Sequence, residues 1–142
     1  MKVIGIDVGL KGGIAKVWYE NDRFQVVVVD MPVLQGYRKK EIDEEKIKEI
    51  LMEAKMEGFE VVYIEKQQPF PKQGVVSTGK LMEQYGILRG LMCGLGISYR
   101  EVRPQIWKRW FGVKGKRDSI IQAQKIVGKV IEKDGQAEAI LI

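Results

Sequence analysis

The sequence contains no histidine. Histidine-based triads, imidazole general bases and zinc-type sites are excluded with it. One cysteine, Cys93, leaves no partner for an internal disulfide and fits a reducing cytosol. No apolar run reaches the roughly 20 residues that span a bilayer, so no membrane association is expected. The first strand starts at once, so no leader is expected. There are no repeats, no low-complexity segments and no composition shift that would mark a linker. Any catalysis is left to carboxylates, Lys, Tyr, Ser/Thr or Cys.

What remains is a chain of 142 residues, 45% hydrophobic, with a mean hydropathy of −0.17. That is enough for one folded domain, 1–142, with a full core. The net charge is +5 and the pI near 9.3. A basic surface favours a polyanionic partner such as nucleic acid, without proving one.

Residues 2–8, 12–18 and 24–30 have the pattern of three short strands. Lys11-Gly12-Gly13 and Glu20-Asn21-Asp22 supply the turns, and connections this short imply antiparallel hairpins. Residues 31–40 are expected to be a loop. A helix is expected over 43–56, capped by Asp43 and stopped by Gly58. Residues 60–65 form an almost wholly apolar fourth strand, hence central and parallel to the first. A loop over 66–76, a long helix over 77–95 and a fifth strand over 98–102 follow. Pro104 opens a short helix through Trp110. Helices are also expected over 118–132 and from 134 to the end. The order implies an α/β fold, a mixed five-stranded sheet flanked by helices. The chain stops in an apolar half-helix, Ala137-Glu138-Ala139-Ile140-Leu141-Ile142. A polar terminus is commoner, so a longer tail is expected.

Asp7 ends the first strand, Val3-Ile4-Gly5-Ile6-Asp7-Val8-Gly9. A buried strand carries a charge only when it is paired or coordinates a metal. Asp7 is therefore either a capping residue at the rim or a ligand presented there. Glu65 ends the fourth strand. If the two strands are neighbours, about 4.8 Å apart, their end carboxylates can share a cation. Asp134 and Glu138 are spaced i,i+4 and share one helix face. Singly, Glu65 can be a rim charge, Asp134 a cap and Glu138 solvated surface; the set carries the metal reading. Four carboxylates without histidine suit Mg²⁺ or Mn²⁺. Two such ions about 4 Å apart can activate water and stabilise a leaving oxygen in phosphodiester cleavage.

An ordered series of motifs spans the chain. Ile4-Gly5-Ile6-Asp7-Val8-Gly9, Ile64-Glu65-Lys66, Pro71-Lys72-Gln73-Gly74-Val75, Gln84-Tyr85-Gly86, Val102-Arg103-Pro104-Gln105-Ile106-Trp107-Lys108 and Asp134-Gly135-Gln136-Ala137-Glu138-Ala139 resemble the RuvC-type Holliday-junction resolvases, in a phage-like branch. The resemblance implies an RNase H-like fold, a homodimer and Mg²⁺-dependent symmetric nicking of four-way DNA junctions. It also implies a cytoplasmic setting in a bacterial or phage-infected cell. The family's catalytic acids fall on Asp7, Glu65, Asp134 and Glu138. In well-known bacterial members the last two acids are three apart. Here they are four apart, and both spacings share a helix face.

Phe70 sits between Pro69 and Pro71 on the loop after Glu65, where an aromatic can wedge or stack at a branch point or fold back on the domain. Resolvases of this type use an aromatic just after that glutamate. On the long helix, Leu81, Tyr85, Leu88, Met92 and Leu95 form one seam, and Gly86, Gly90 and Gly94 a second stripe suggesting close backbone approach. One can face the sheet and the other a partner helix, or both can be core. The resemblance favours a homodimer through helix 77–95. Lys72, Lys80, Arg89, Lys108, Arg109, Lys114, Lys116 and Arg117 are candidate phosphate contacts or solvated charges. Trp107 and Trp110 are expected to pack rather than stack on DNA.

The expected function is a structure-selective endodeoxyribonuclease that resolves four-way junctions. Asp7 bridges two Mg²⁺ ions (Mn²⁺ can substitute), Glu65 and Glu138 complete their ligands, and Asp134 or a nearby lysine orients water. The rivals are an RNase H-like nuclease acting on RNA, RNA–DNA hybrid or other branched DNA, and a non-catalytic junction-binding module. An actin-like or sugar-kinase-like ATPase lobe shares Asp7-Val8-Gly9 but requires a second lobe.

Overall fold

A computed structural model describes residues 1–36 and 39–142; part of the expected loop 31–40, residues 37 and 38, lies outside them. Three antiparallel strands open the chain: β1 (Lys2–Asp7), β2 (Gly13–Glu20) and β3 (Arg23–Asp30). The β2–β3 turn is tight. Glu20 pairs with Arg23, and Asn21 and Asp22 take φ of 51° and 59°. Both residue types tolerate that left-handed conformation, which two-residue hairpins need.

A short hairpin, β4 (Val33–Gln35) and β5 (Lys40–Ile42), then leads to helix α1 (Glu44–Met56). The hairpin occupies the stretch expected to be a loop. Three-residue strands are too short to show a period of two, so their pairing is not visible as a pattern. Asp43 caps α1 as expected, its carboxylate accepting from the Lys46 backbone N–H at 3.0 Å.

Strand β6 (Val61–Glu65) lies parallel to β1, and β7 (Ser98–Val102) parallel to β6, giving the order β3-β2-β1-β6-β7. Between them runs α2 (Val75–Gly94). The mixed five-stranded sheet agrees with the expected fold class. Helices α3 (Pro104–Phe111), α4 (Lys116–Val127) and α5 (Asp134–Leu141) complete the chain. Helix α4 ends earlier than its pattern suggests. Gly128 at φ 65° closes it, and a left-handed glycine ends a helix whatever apolar residues follow. No helix among the described residues is long and apolar enough to cross a membrane.

The sheet separates two cores. Ile4, Ile6, Ile14, Val62 and Ile64 meet α1 and α2 on one face; Ala15, Val26 and the helices α3–α5 form the other. The seam of α2 faces inward, with Tyr85, Leu88 and Met92 buried. Gly86, Gly90 and Gly94 point outward, and a Cβ at any of them would meet nothing within 4 Å among the described residues. The close approach expected of that stripe does not occur within the chain.

Close approach occurs at α5 instead. A Cβ on Gly5 would lie 1.9 Å from the Ala139 carbonyl oxygen, and one on Gly135 2.0 Å from that of Lys11. Ala137 and Ala139 are fully buried. These small residues let α5 lie directly on β1 and β2, and Gln136 ties its start to Asp30 at 2.7 Å. Gly135→Ala is expected to lower stability by about 1–3 kcal/mol, because the obstructing atoms are backbone. Gly86→Ala, on the open stripe, is expected to leave the folded monomer unchanged or raise its stability by up to about 1 kcal/mol. Urea midpoints of the two variants measure both effects.

Candidate active site

The register of β1 and β6, which pairs Ile6 with Ile64, brings Asp7 and Glu65 to the same end of adjacent parallel strands. Helix α5, lying on β1, supplies Asp134 in its first turn and Glu138 one turn later. All four predicted acids thus come to one region. Burial pushes Asp7 up to about 8, helped by the charges of Glu138, Glu65 and Asp134 and opposed by Lys108. Burial also raises Glu138. Lys108 opposes that shift, while Glu65 and Asp134 add to it. The Ser119 hydroxyl, fully buried, donates to Glu138 at 3.4 Å.

Two more of the acids are held by protein donors. The indole N–H of Trp107, a residue only 3% exposed, donates to Glu65 Oε2 at 2.7 Å. Lys116 pairs with Asp134 at 2.8 Å and holds its carboxyl below the usual range; the same contact raises Lys116. Among the described residues, no three acids converge closely enough to enclose an ion as they stand. The donor set is nonetheless all-oxygen and mutually repulsive, and a hard divalent cation relieves that repulsion directly.

Trp107 packs, as expected. Its hydrogen bond to Glu65 was not anticipated, although a buried indole N–H needs an acceptor. Trp110 corrects the expectation that both tryptophans pack, because it is 83% exposed. Lys108 follows Trp107 and lies over its ring at 5.1 Å.

A cleft of about 470 Å³ opens beside Asp7, Asp134 and Glu138. The glycine turn after β1 and the first half of α2 form its walls, so Lys80 and Lys116 line it together with Ser77 and Gln84. The last two were not among the expected site residues. Phe70 is exposed on the loop after β6. That loop is a self-contained turn: Phe70 N–H donates to the Gln73 side-chain oxygen at 3.2 Å, and Gln73 N–H returns to the Phe70 carbonyl at 3.2 Å. Lys72, in the same turn, is exposed with φ of 70°.

Lys114, Lys116 and Arg117 are exposed where α4 begins, and the Lys114 backbone N–H donates to Asp118 at 2.9 Å. Arg109 is exposed on α3. Arg89 is placed differently. Its guanidinium donates to the Tyr99 hydroxyl at 3.0 Å and lies 3.6 Å from Glu101, against β7.

Acids at the ends of two central parallel strands, with more on a helix crossing them, over a β3-β2-β1-β6-β7 sheet, define an RNase H-like fold. Solved structures of RuvC from Thermus thermophilus share it. One matches at a TM-score of 0.70 and 17% identity, covering 100% of this chain and 90% of that one. A second, described as T. thermophilus RuvC in complex with Holliday junction substrate, matches at 0.70 and 19%, with the same coverage. At this identity the likeness is one of fold. No family model and no curated protein matches the sequence.

The buried acids give stability a defined pH dependence in metal-free protein. Between the ordinary Asp value of 3.8 and about 8, folded Asp7 keeps a proton that the unfolded chain has lost. Stability therefore falls as pH rises through that window, by up to about 1.4 kcal/mol per unit for one proton. Glu138 acts in the same direction. The lowered acids Asp30, Glu101 and Asp134 act oppositely, at the acid end. Denaturation in EDTA at pH 5 and pH 8 is expected to show the decline, and Asp7→Asn to flatten it and stabilise the protein at pH 8.

Proposed function

We propose that the protein is a structure-selective endodeoxyribonuclease that resolves four-way DNA junctions by paired, symmetric nicks. The observation that carries this reading is the burial of Asp7 beside Glu65, Asp134 and Glu138 on the fold of RuvC. That a RuvC structure of this fold is described with a Holliday junction substrate supports the choice of DNA. The basic groups around the cleft and on the α4 loop support a phosphate-rich partner.

In this reading residues 1–142 form one nuclease domain. Asp7, Glu65 and Glu138 would hold two Mg²⁺ ions, with Mn²⁺ an acceptable substitute. Ions so held supply a water activated for attack and charge stabilisation for the leaving oxygen. Trp107 fixes the Glu65 carboxylate through its N–H. The Asp134–Lys116 pair lies where a proton can be held or moved as water attacks phosphorus and the P–O bond to the leaving oxygen breaks. Lys108, which offsets the charge of Asp7 and Glu138, faces the phosphate. Phe70 wedges at the branch point, and Lys72, Lys80, Lys114, Lys116 and Arg117 hold phosphates. Arg89 serves DNA only by leaving Tyr99 and Glu101.

A homodimer fits this substrate, because two related nicks need two sites related by a two-fold axis. The exposed stripe Gly86-Gly90-Gly94 on α2, free of neighbours among the described residues, supports a partner helix there. A lone cysteine supports a reducing, cytoplasmic setting in a bacterial or phage-infected cell.

A synthetic four-way junction incubated with Mg²⁺ tests the proposal. The wild-type protein is expected to place paired nicks in opposed strands. Asp7→Asn is expected to cut about a thousandfold more slowly, the loss of several kcal/mol of transition-state stabilisation, while still binding the junction. Preferential cutting of RNA–DNA hybrid would favour a different RNase H-like activity. Binding without cleavage across mobile junction sequences would favour a non-catalytic module.

A further inference from the structure

Gln84 stands out on α2. Its carboxamide oxygen is the buried side-chain polar atom with no hydrogen-bond partner among the described residues, and the residue is only 9% exposed. Its inward neighbours on the helix are apolar or aromatic: Tyr85, Leu88 and Met92. A desolvated amide oxygen left unpaired costs stability that a leucine or methionine at this position would avoid. Position 84 carries that cost at the wall of the cleft that holds Asp7.

The placement restricts what the oxygen can accept from. Ser77, Lys80, Leu81 and Gln84 follow spacings of three and four, so they form one face of α2, and all four line the cleft. Gln84 also lines a smaller recess of about 90 Å³, together with residues of β5 and α2. A phosphodiester offers only acceptor oxygens. These match the ammonium of Lys80 and the hydroxyl of Ser77, and they cannot satisfy the oxygen of Gln84. In DNA the donors are on the bases: the exocyclic amines of adenine and cytosine in the major groove, that of guanine in the minor groove, or those of any amino-bearing base freed at a branch.

We propose that Gln84 is a specificity-determining residue, its carboxamide oxygen accepting a hydrogen bond from the exocyclic amine of a base beside the scissile phosphate, while Lys80 and Ser77 hold that strand's phosphates. The inference rests on the reading of the cleft as a DNA site. It adds base discrimination at one position, to be carried by a residue outside the acid cluster.

The test replaces adenine by purine, guanine by hypoxanthine, or cytosine by its 4-deamino analogue, one position at a time around the nick of a four-way junction. Nicking and junction binding are measured for wild type and Gln84→Met, with Gln84→Leu as a second variant should the first not fold. Wild type is expected to lose roughly tenfold at one position when the amine is removed. Gln84→Met is expected to cut the unmodified junction roughly tenfold more slowly, to be indifferent to the amine, and to melt at the same or a higher temperature. A variant that melts higher yet keeps wild-type nicking and the wild-type amine profile overturns the inference and leaves the resolvase reading intact. Wild-type binding without nicking, with an amine dependence lost in Gln84→Met, overturns the resolvase reading and supports the inference. A wild-type protein that neither binds nor nicks DNA overturns both.

Discussion

One carboxyl group, that of Asp7, sits half-buried at the end of a central strand, within the field of three other acids. In isolation this is an unfavourable arrangement, since each desolvated negative charge resists the next. Much of the fold beyond the sheet serves to build and hold it. The glycines and alanines of α5 bring its backbone onto β1, which brings Asp134 and Glu138 to the cleft that Asp7 lines. Trp107 reaches across from α3 to fix Glu65. Lys116 and Ser119 reach from α4 to Asp134 and Glu138. Helices α3 to α5 thus contribute core on one side and, on the other, a partner for each of the three acids around Asp7.

The same geometry sorts the basic residues. Lys80, Lys108 and Lys116 belong to the acid cluster, through the cleft, the field on Asp7 or a direct ion pair. Lys72, Lys114 and Arg117 lie exposed on flanking turns. Arg89 is engaged between α2 and β7, where Tyr85, Tyr99, Lys66 and Glu101 form a polar link. That link anchors the helix that also lines the cleft, so Arg89 has a role in the fold whatever it does toward DNA.

Much of this was legible in the sequence because it rests on strong local signals. Strands of β-branched residues with tight polar turns, a nearly all-apolar fourth strand and acids at strand ends predict the antiparallel hairpins, a central strand parallel to the first and, if those two are neighbours, the gathering of Asp7 with Glu65. The i,i+4 spacing predicts that Asp134 and Glu138 share a face. What escaped was non-local or too short. The β4–β5 hairpin has three residues a side, and Gly128 ends α4 inside a continuing apolar pattern. Three glycines at spacing four indicate close packing, but not whether the neighbour is in the same chain; here Gly5 and Gly135 make the approach. Trp107 and Trp110 are alike in sequence, and only the placement of α3 buries one and exposes the other. Gln84 stands in the motif Gln84-Tyr85-Gly86, but the sequence does not show that its oxygen is buried without a partner among the described residues.

The account depends most on the acids being an ion site with Asp7 at its centre. Calorimetric titration of the protein with Mn²⁺ at pH 7, in buffers of different ionisation enthalpy, measures ions bound and protons released together. The account predicts two ions per chain and release of close to one proton, carried by Asp7 in the metal-free protein, with both binding and release weakened in Asp7→Asn. Absence of binding, or binding without proton release that is the same in Asp7→Asn, would contradict it.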